Sequence, residues 1–372
     1  MSWYCCESSS RLNKALKKIN GKLRQHPSSD LTVSPKRLTQ PADEPNNTAE
    51  RAINDSGPPI ADIYTYRELA DATHDFSRNC LVNVGSFGNV YRGKLGETRE
   101  IVAIEHLDRN GSRGDSEFNV QVMMLNLLNH PNVINLIGYC TRGNDRFFIH
   151  EYLPLGSLDK HLHDRLSLQM PPLDWHTRMK IALGTAKALE YMHDKANPPV
   201  IYRNLKPCNI LLDNDYNAKL SDFGLSKFGP ICDKEHVSVR VRGTFGYIAP
   251  EYVKRGFLSV KADVYNFGIV LLELLTGRRA VDIIRETKEQ ELSYWANRMI
   301  LKKSKKVLEL ADPLLQGTFP TRRFYQTFAV AHMCLRENST VRPMMSDVVA
   351  AILYISSDGN VDGSINSPLH EA

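Results

Sequence analysis

Residues 200–212 have the sequence Val-Ile-Tyr-Arg-Asn-Leu-Lys-Pro-Cys-Asn-Ile-Leu-Leu. Four shorter motifs follow this stretch along the chain: Asp222-Phe223-Gly224, Ala249-Pro250-Glu251, Asp-Val-Tyr-Asn-Phe-Gly at residues 263–268, and Arg342-Pro343. Each motif alone would be weak evidence, because short patterns recur by chance. Their order and spacing together decide the fold.

These motifs resemble the catalytic domain of a protein kinase, over residues 76–355. Residues 200–212 match the catalytic loop of that family, and Asp222 matches its metal-binding aspartate. Glu251 is expected to form an ion pair with Arg342. The resemblance implies an α+β, bilobal protein kinase fold, with a small β-rich N-terminal lobe and a large α-helical C-terminal lobe.

A closer likeness is to the plant receptor-like cytoplasmic kinases of subfamily VII. It rests on Ile-Tyr-Thr-Tyr-Arg-Glu-Leu at residues 63–69, Ile-Gly-Tyr-Cys at 137–140, Leu-Gly-Ser-Leu at 155–158 and His-Val-Ser at 236–238. Members of this subfamily are membrane-anchored relatives of receptor kinases. The resemblance therefore implies partners among receptor-like kinases or other signalling proteins.

Composition excludes several other classes of protein. Of the 372 residues, 42% are hydrophobic, which is ordinary for a globular chain. No apolar run of about 18 residues is present, so no transmembrane helix is expected. Seven cysteines lack zinc-site spacing, and the net charge of +5 comes without a basic, aromatic-rich cluster in the globular part. We therefore expect neither a zinc site nor a nucleic-acid partner.

Hydrophobic patterning divides the chain into three parts. Residues 1–60 are rich in Ser, Asn, Pro and charge and are predicted to be disordered, and the Gly/Ser/Asn-rich residues 356–372 are predicted to form a flexible tail. Between them, residues 80–107 alternate as strands. Helices are predicted at 116–129, 176–193, 260–276 and 325–335.

Asn204 occupies the position at which the family's catalytic loop carries an aspartate. That aspartate accepts the proton of the substrate hydroxyl, which a neutral amide cannot do. Lys206, which in the family contacts the γ-phosphate, is present, and so are the two metal ligands, Asn209 and Asp222. Either these two residues hold Mg²⁺, or they are retained only for hydrogen bonding within their loops.

The small-lobe side of the nucleotide site is altered. Asn83 replaces the first glycine of the phosphate loop, whose other two glycines are Gly85 and Gly88. Asparagine tolerates unusual φ values better than most residues. Glu105 stands where the resemblance places a lysine that binds the α- and β-phosphates. An attraction of about 4 kcal/mol at roughly 4 Å thereby becomes a repulsion of similar size.

Gln121 replaces the glutamate that pairs with this lysine in the family. A glutamate facing Glu105 would bring two buried carboxylates into contact, which is costly. We expect the Gln121 amide to donate a hydrogen bond to Glu105 instead, and to keep the helix docked without helping catalysis.

The walls of the nucleotide pocket are retained. The resemblance assigns its apolar lining to Val82, Val90, Ala103 and Leu211. His150 takes the position that guards the back of the pocket, and Glu151 and Leu153 belong to the hinge that binds adenine. ATP and Mg²⁺ are therefore the expected cofactors, bound weakly or not at all.

Three residues are candidates for regulation. Arg203 corresponds to an arginine that binds a phosphorylated activation segment through charge-assisted hydrogen bonds. Ser238 lies in that segment, and Thr244 begins the turn that faces the substrate. Ser238 is either a phosphorylation site for another kinase or an ordinary exposed serine.

Cys5 and Cys6 precede a basic stretch at residues 11–24. Members of the subfamily commonly carry a lipid anchor, but N-myristoylation requires glycine at position 2, which is serine here. We expect S-palmitoylation of the two cysteines, with the basic residues attracted to anionic lipids at the cytoplasmic face of the plasma membrane. The alternative is a cytoplasmic protein with a disordered basic start.

The substitutions at Glu105, Gln121 and Asn204 lead us to expect a catalytically inactive kinase fold. Its role would be that of a membrane-associated scaffold or regulator in plant receptor-kinase signalling, with immune signalling as one option. The alternative is an active or weakly active serine/threonine kinase, because the metal ligands and Lys206 remain. Loss of the general base alone would cost about 10²–10⁴ in rate.

Overall fold

The alternating pattern of residues 80–107 forms three neighbouring strands of a six-stranded sheet in a computed structural model. The structure describes residues 61–85, 88–96, 100–107, 114–164, 170–230, 235–301 and 305–357. The elements of the small lobe are β1 (Asp62–Ile63), α1 (Tyr66–Ala72), β2 (Leu81–Gly85), β3 (Gly88–Leu95), β4 (Glu100–Leu107), α2 (Asp115–Leu127), β5 (Leu136–Arg142) and β6 (Asp145–Glu151).

The sheet has the order β1-β5-β6-β4-β3-β2. Its pairs are antiparallel except for β1 with β5. Helix α1 begins at a capping box formed by Thr65 and Glu68, and it buries Leu69 in the core of this lobe. Helix α2 lies within one or two residues of its predicted bounds and buries Phe118 and Val122.

The large lobe is mainly helical. Its elements are β7 (Gly156–Ser157), α3 (Leu158–His163), α4 (Trp175–Glu190), β8 (Val200–Ile201), β9 (Ile210–Leu212), β10 (Ala218–Leu220), β11 (Lys227–Phe228), β12 (Val237–Ser238), α5 (Pro250–Arg255), β13 (Phe257–Leu258), α6 (Val260–Thr276), α7 (Leu292–Leu301), α8 (Thr321–Cys334) and α9 (Met345–Ser356). Strands β7, β9 and β10 form one small sheet, β8 pairs with β11, and β12 pairs with β13. A β-rich lobe followed by a helical lobe confirms the predicted α+β, bilobal architecture.

Helix α6 is the buried axis of the large lobe. It has the bounds predicted from sequence, and it is buried over nearly its whole length, including the polar Asp263, Asn266 and Glu273. Ser259 caps its N-terminus by accepting a hydrogen bond from the amide of Lys261. Gly277 ends it at a φ of 65°, where a Cβ atom would overlap the carboxylate of Asp312. Only glycine suits this close approach.

The predicted ion pair between Glu251 and Arg342 is present. The two guanidinium Nη atoms donate to the two carboxylate oxygens at 2.7 Å each. Because this arrangement is bidentate and the arginine side chain is fully buried, it fixes the start of α5 against the segment that precedes α9.

Several predictions fall outside the described residues. They concern disorder over residues 1–60, acylation of Cys5 and Cys6, and most of the tail after residue 356. Among the helices that the structure does describe, none combines the length and apolar character needed to cross a bilayer.

Candidate active site

The carboxylate of Asp263 holds the loop that connects β8 to β9. It lies on α6, is fully buried, and accepts hydrogen bonds from the backbone amides of Tyr202 at 2.7 Å and Arg203 at 2.6 Å. Nε2 of His193 lies 2.9 Å from the same carboxylate. A buried carboxylate is stable only when its oxygens are paired in this way. The loop is thus fastened to the most rigid element of the large lobe.

Asn204 joins this loop to the Asp222-Phe223-Gly224 motif. Its side-chain Nδ2 donates to the carbonyl of Asp222 at 3.4 Å, and its own carbonyl accepts from Nδ2 of Asn209 at 2.8 Å. Asp222 has a φ of 58°, in the left-handed region that costs a non-glycine residue about 1 kcal/mol or more. Such strain persists where neighbouring contacts impose it, and it is concentrated at functional sites.

A cavity of about 300 Å³ lies between the two lobes. It is lined by most of the residues that the sequence assigns to nucleotide and metal binding: Val82, Gly88, Val90, Ala103, Glu105, Glu151, Leu153, Asn209, Leu211 and Asp222. His150 also lines it and is 6% exposed. Gln121 is not among the described residues that line it. The size is at the lower end of the roughly 300–1,000 Å³ typical of ligand pockets.

The donor atoms of Asn209 and Asp222 fit a magnesium ion. In phosphoryl-transfer sites Mg²⁺ is held by one or two protein oxygens together with phosphate oxygens. Because Nδ2 of Asn209 is bonded to the loop, its Oδ1 is the atom left to act as a ligand. Across the described residues, no group of three or more His, Cys, Asp or Glu side chains is arranged to hold a metal alone.

The phosphate loop differs from expectation at its first position. Asn83 lies in the extended strand β2 and does not adopt the left-handed φ for which asparagine was considered suitable. Its side-chain Oδ1 accepts a hydrogen bond from Nζ of Lys160 at 2.9 Å. Gly88 does need to be glycine, because it has a φ of 146° and a Cβ there would overlap the carbonyl of His106.

Glu105 lines the cavity, whereas Gln121 is not among its described lining residues. Glu105 lies on β4 opposite Val90 and Phe148 and lines the cavity. Gln121 lies on α2, is 1% exposed, and its Oε1 has no hydrogen-bond partner in the part of the chain that the structure describes. An unpaired buried acceptor is destabilising. Donation from the Gln121 amide to Glu105 stays a prediction.

Arg203 is engaged with the activation segment itself. Its guanidinium donates to the carbonyls of Leu225 at 3.3 Å and Arg240 at 2.8 Å, and to the hydroxyl of Tyr252. The residue is 6% exposed. Ser238 is exposed on β12. Binding of a phosphate on Ser238 to Arg203 stays a prediction: the guanidinium already contacts two backbone carbonyls, and its Nε has no hydrogen-bond partner among the described residues.

The activation segment also contacts the small lobe. Nη1 of Arg242 lies 2.5 Å from Oε1 of Glu117, which is in the first turn of α2. The backbone amide of Arg242 donates to the hydroxyl of Tyr252 at 3.1 Å. This arginine therefore links the position of α2 to the conformation of the segment.

A second cavity of about 320 Å³ lies beside the first, and Lys206 and Thr244 line it. Cys208 lines both cavities. Glu273 also lines the second cavity, where burial raises its pKa although Tyr247 donates to both of its oxygens.

Lys160 was not predicted from the sequence to belong to this site, although it lines the cavity. The contact with Asn83 joins residues 77 positions apart, so no local pattern reveals it. Its place in the chain could have suggested it, because Lys160 lies in the short helix α3, which follows the hinge residues Glu151 and Leu153 closely in sequence.

Replacing Gln121 with glutamate tests the proposed contact with Glu105. A carboxylate in this buried position beside another carboxylate should destabilise the chain by about 2 kcal/mol. Glu105→Lys in that background should recover much of the loss, and denaturant unfolding of the four chains gives the coupling. Gln121→Met is the control: it removes the side-chain amide without adding a charge, and it should lower the free energy of unfolding less than Gln121→Glu does. If the two effects simply add, the side chains do not meet.

Known proteins resemble this chain over most of its length. A family model for the protein kinase domain matches residues 76–355. The probable serine/threonine-protein kinase PBL7 of Arabidopsis thaliana is 51% identical over 96% of this chain and 93% of its own length. The serine/threonine-protein kinases PBL27 and PBS1 of the same plant are each 53% identical, over 89% and 80% of this chain. The matched regions span 63% of PBL27 and 65% of PBS1.

These relatives overturn the expectation that the chain is catalytically inactive. Proteins 51–53% identical to it are named serine/threonine-protein kinases, which points to an active kinase. The inference from Asn204 and Glu105 gave too much weight to single positions. Phosphoryl transfer depends mainly on positioning and electrostatic stabilisation, and the protein has little covalent chemistry to perform.

The family follows from the agreement of these findings. The domain match covers well over half of the chain, and the relatives share half of their aligned residues with it. The bilobal fold and the cavity between the lobes agree with that match. The chain belongs to the protein kinase family and, within it, to the receptor-like cytoplasmic kinases of subfamily VII.

Proposed function

We propose that this chain is a serine/threonine protein kinase of plant signalling that transfers the γ-phosphoryl group of ATP to protein hydroxyls at a reduced rate. The observation that carries the proposal is the cavity of about 300 Å³, in which apolar walls meet the oxygen donors of Asn209 and Asp222. Val90, Ala103 and Leu211 supply apolar surface for the adenine ring.

The residues that match the kinase pattern position the nucleotide and its metal ion. Asp263 fixes the catalytic loop, and the bonds among Asn204, Asn209 and Asp222 hold the two metal ligands at one end of the cavity. Mg²⁺, when bound there with ATP, neutralises phosphate charge. Lys206 lies on the same loop and lines the neighbouring cavity together with Thr244, where it can contact the transferred phosphoryl group.

The substitution at Asn204 explains the reduced rate. Its amide cannot take the proton of the substrate hydroxyl, so the proton must pass to water or to an oxygen of the transferred phosphoryl group. The transition state of phosphoryl transfer is loose in most analyses, with little bond formation to the attacking oxygen. A general base is worth about 10²–10⁴ in rate. The reaction is therefore slowed without being prevented.

A phosphate-transfer assay with radiolabelled ATP, Mg²⁺ and a generic protein substrate tests this proposal. The unmodified chain should label serine and threonine slowly, and Asp222→Ala should abolish labelling because the metal loses its carboxylate ligand. Asn204→Asp should raise kcat by about 10²-fold or more. Lys254→Ala, an exposed substitution on α5, should change nothing. Labelling that persists in Asp222→Ala, or is absent from the unmodified chain, would contradict the proposal.

We also propose that the chain acts at the cytoplasmic face of the plasma membrane, with receptor-like kinases or other signalling proteins as partners. Cys5, Cys6 and the basic residues that follow them support this proposal. Two acyl chains provide the two signals that stable anchoring needs.

Imaging of a C-terminal fluorescent fusion tests the anchor. Cys5→Ser with Cys6→Ser should move the protein to the cytosol, whereas neutralising Lys14, Lys17 and Lys18 should only weaken membrane binding. A double cysteine variant that stays at the membrane as firmly as the parent would rule out acylation as the anchor.

A further inference from the structure

The cavity between the lobes has an unusual distribution of charge. Its lining includes the carboxylates of Glu105, Glu151 and Asp222. Glu151 is paired with Lys219 at 2.9 Å. Among the described lining residues, Lys160 is the one lysine or arginine. Besides Lys206 in the neighbouring cavity, Lys160 is thus the cation placed to meet a polyphosphate that enters here.

Lys160 lies where it can reach a ligand. It is half-buried on α3 in the large lobe, and its Nζ donates to Oδ1 of Asn83 on β2 in the small lobe. Both residues line the cavity, so this hydrogen bond joins the two lobes at its wall. A lysine ammonium is a compact charge on a flexible stem. It can turn from Asn83 towards the cavity without any movement of the backbone.

The present partner of Lys160 is weaker than a phosphate would be. The Asn83 oxygen belongs to a neutral amide, whereas a phosphate oxygen carries a negative charge that adds Coulombic attraction to the ammonium. An anionic oxygen within reach would therefore replace the amide.

We propose that Lys160 is a nucleotide-binding residue, whose ammonium moves from Asn83 to a phosphate oxygen of the bound nucleotide. It supplies part of the positive charge that is lost where Glu105 replaces a lysine. The inference rests on the proposed function in requiring that a nucleotide enters this cavity. It differs from that function in assigning phosphate recognition to α3 of the large lobe.

Calorimetric titration of the full chain with ADP and with adenosine, in excess Mg²⁺, tests the assignment. Lys160→Ala should weaken ADP binding about tenfold and leave adenosine binding unchanged, because only ADP carries the phosphates. Lys160→Arg keeps the charge and should retain most of the ADP affinity. Lys254→Ala removes an exposed lysine outside the cavity and is the matched control, with no change for either ligand. Thermal unfolding checks that each variant is folded.

Asn83→Ala separates a direct contact from an indirect one. If Lys160 binds phosphate, removing its amide partner should leave ADP affinity equal or higher. If Lys160 acts only by holding β2 in place, Asn83→Ala should weaken ADP as much as Lys160→Ala does, which would overturn the inference.

Three other results of these titrations would overturn the assignment of Lys160 to the phosphates. Equal weakening of ADP and adenosine by Lys160→Ala would place the ammonium at the ribose and overturn the assignment to phosphate. Unchanged ADP affinity in Lys160→Ala would overturn the inference while leaving the kinase proposal intact. Failure of the unmodified chain to bind either ligand would overturn both.

Discussion

The geometry of the active site depends on the buried carboxylate of Asp263. It accepts hydrogen bonds from two successive backbone amides of the catalytic loop and contacts His193. Removal of this carboxylate would leave buried donors without partners, each costing about 1–3 kcal/mol. Because α6 is buried along almost its whole length, it provides a fixed frame. Arg203 has a φ of 70°, a conformation that the adjacent bond to Asp263 helps to impose.

The charged residues around the cavity differ from those of the kinase pattern, although the cavity itself is present. Glu105 brings a negative charge to the strand that normally carries a lysine, and Gln121 removes the matching negative charge from α2. Lys160 adds a cation at the opposite rim. The proposed metal ligands Asn209 and Asp222 are held by hydrogen bonds within the large lobe. In the proposed function, the site thus keeps the residues that would position ATP, while the groups that would contact phosphate differ.

The sequence predicted the elements well where their boundaries are encoded locally. Helix α6 has its predicted bounds because Ser259 caps one end and Gly277 terminates the other. The contacts between lobes were not predicted, because residues such as Glu117 and Arg242 are 125 positions apart and meet only in the folded chain. Binding of a phosphate by Arg203 stays a prediction, whereas its contacts with the backbone carbonyls of Leu225 and Arg240 could not be predicted, because backbone atoms are the same in every residue. Inactivity was wrongly inferred from the side-chain types at Asn204 and Glu105, because relatives 51–53% identical to the chain are named serine/threonine-protein kinases.

The most direct test of a catalytic nucleotide site in this cavity is a crystal structure of the chain with a non-hydrolysable ATP analogue and Mn²⁺. Manganese can be located by its anomalous scattering, independently of the protein atoms. We predict that the adenine lies between Ala103 and Leu211 and that the anomalous peak lies within coordination distance of Asn209 and Asp222. Crystals grown at saturating analogue that show an empty cavity, or a manganese peak away from these two residues, would contradict the assignment.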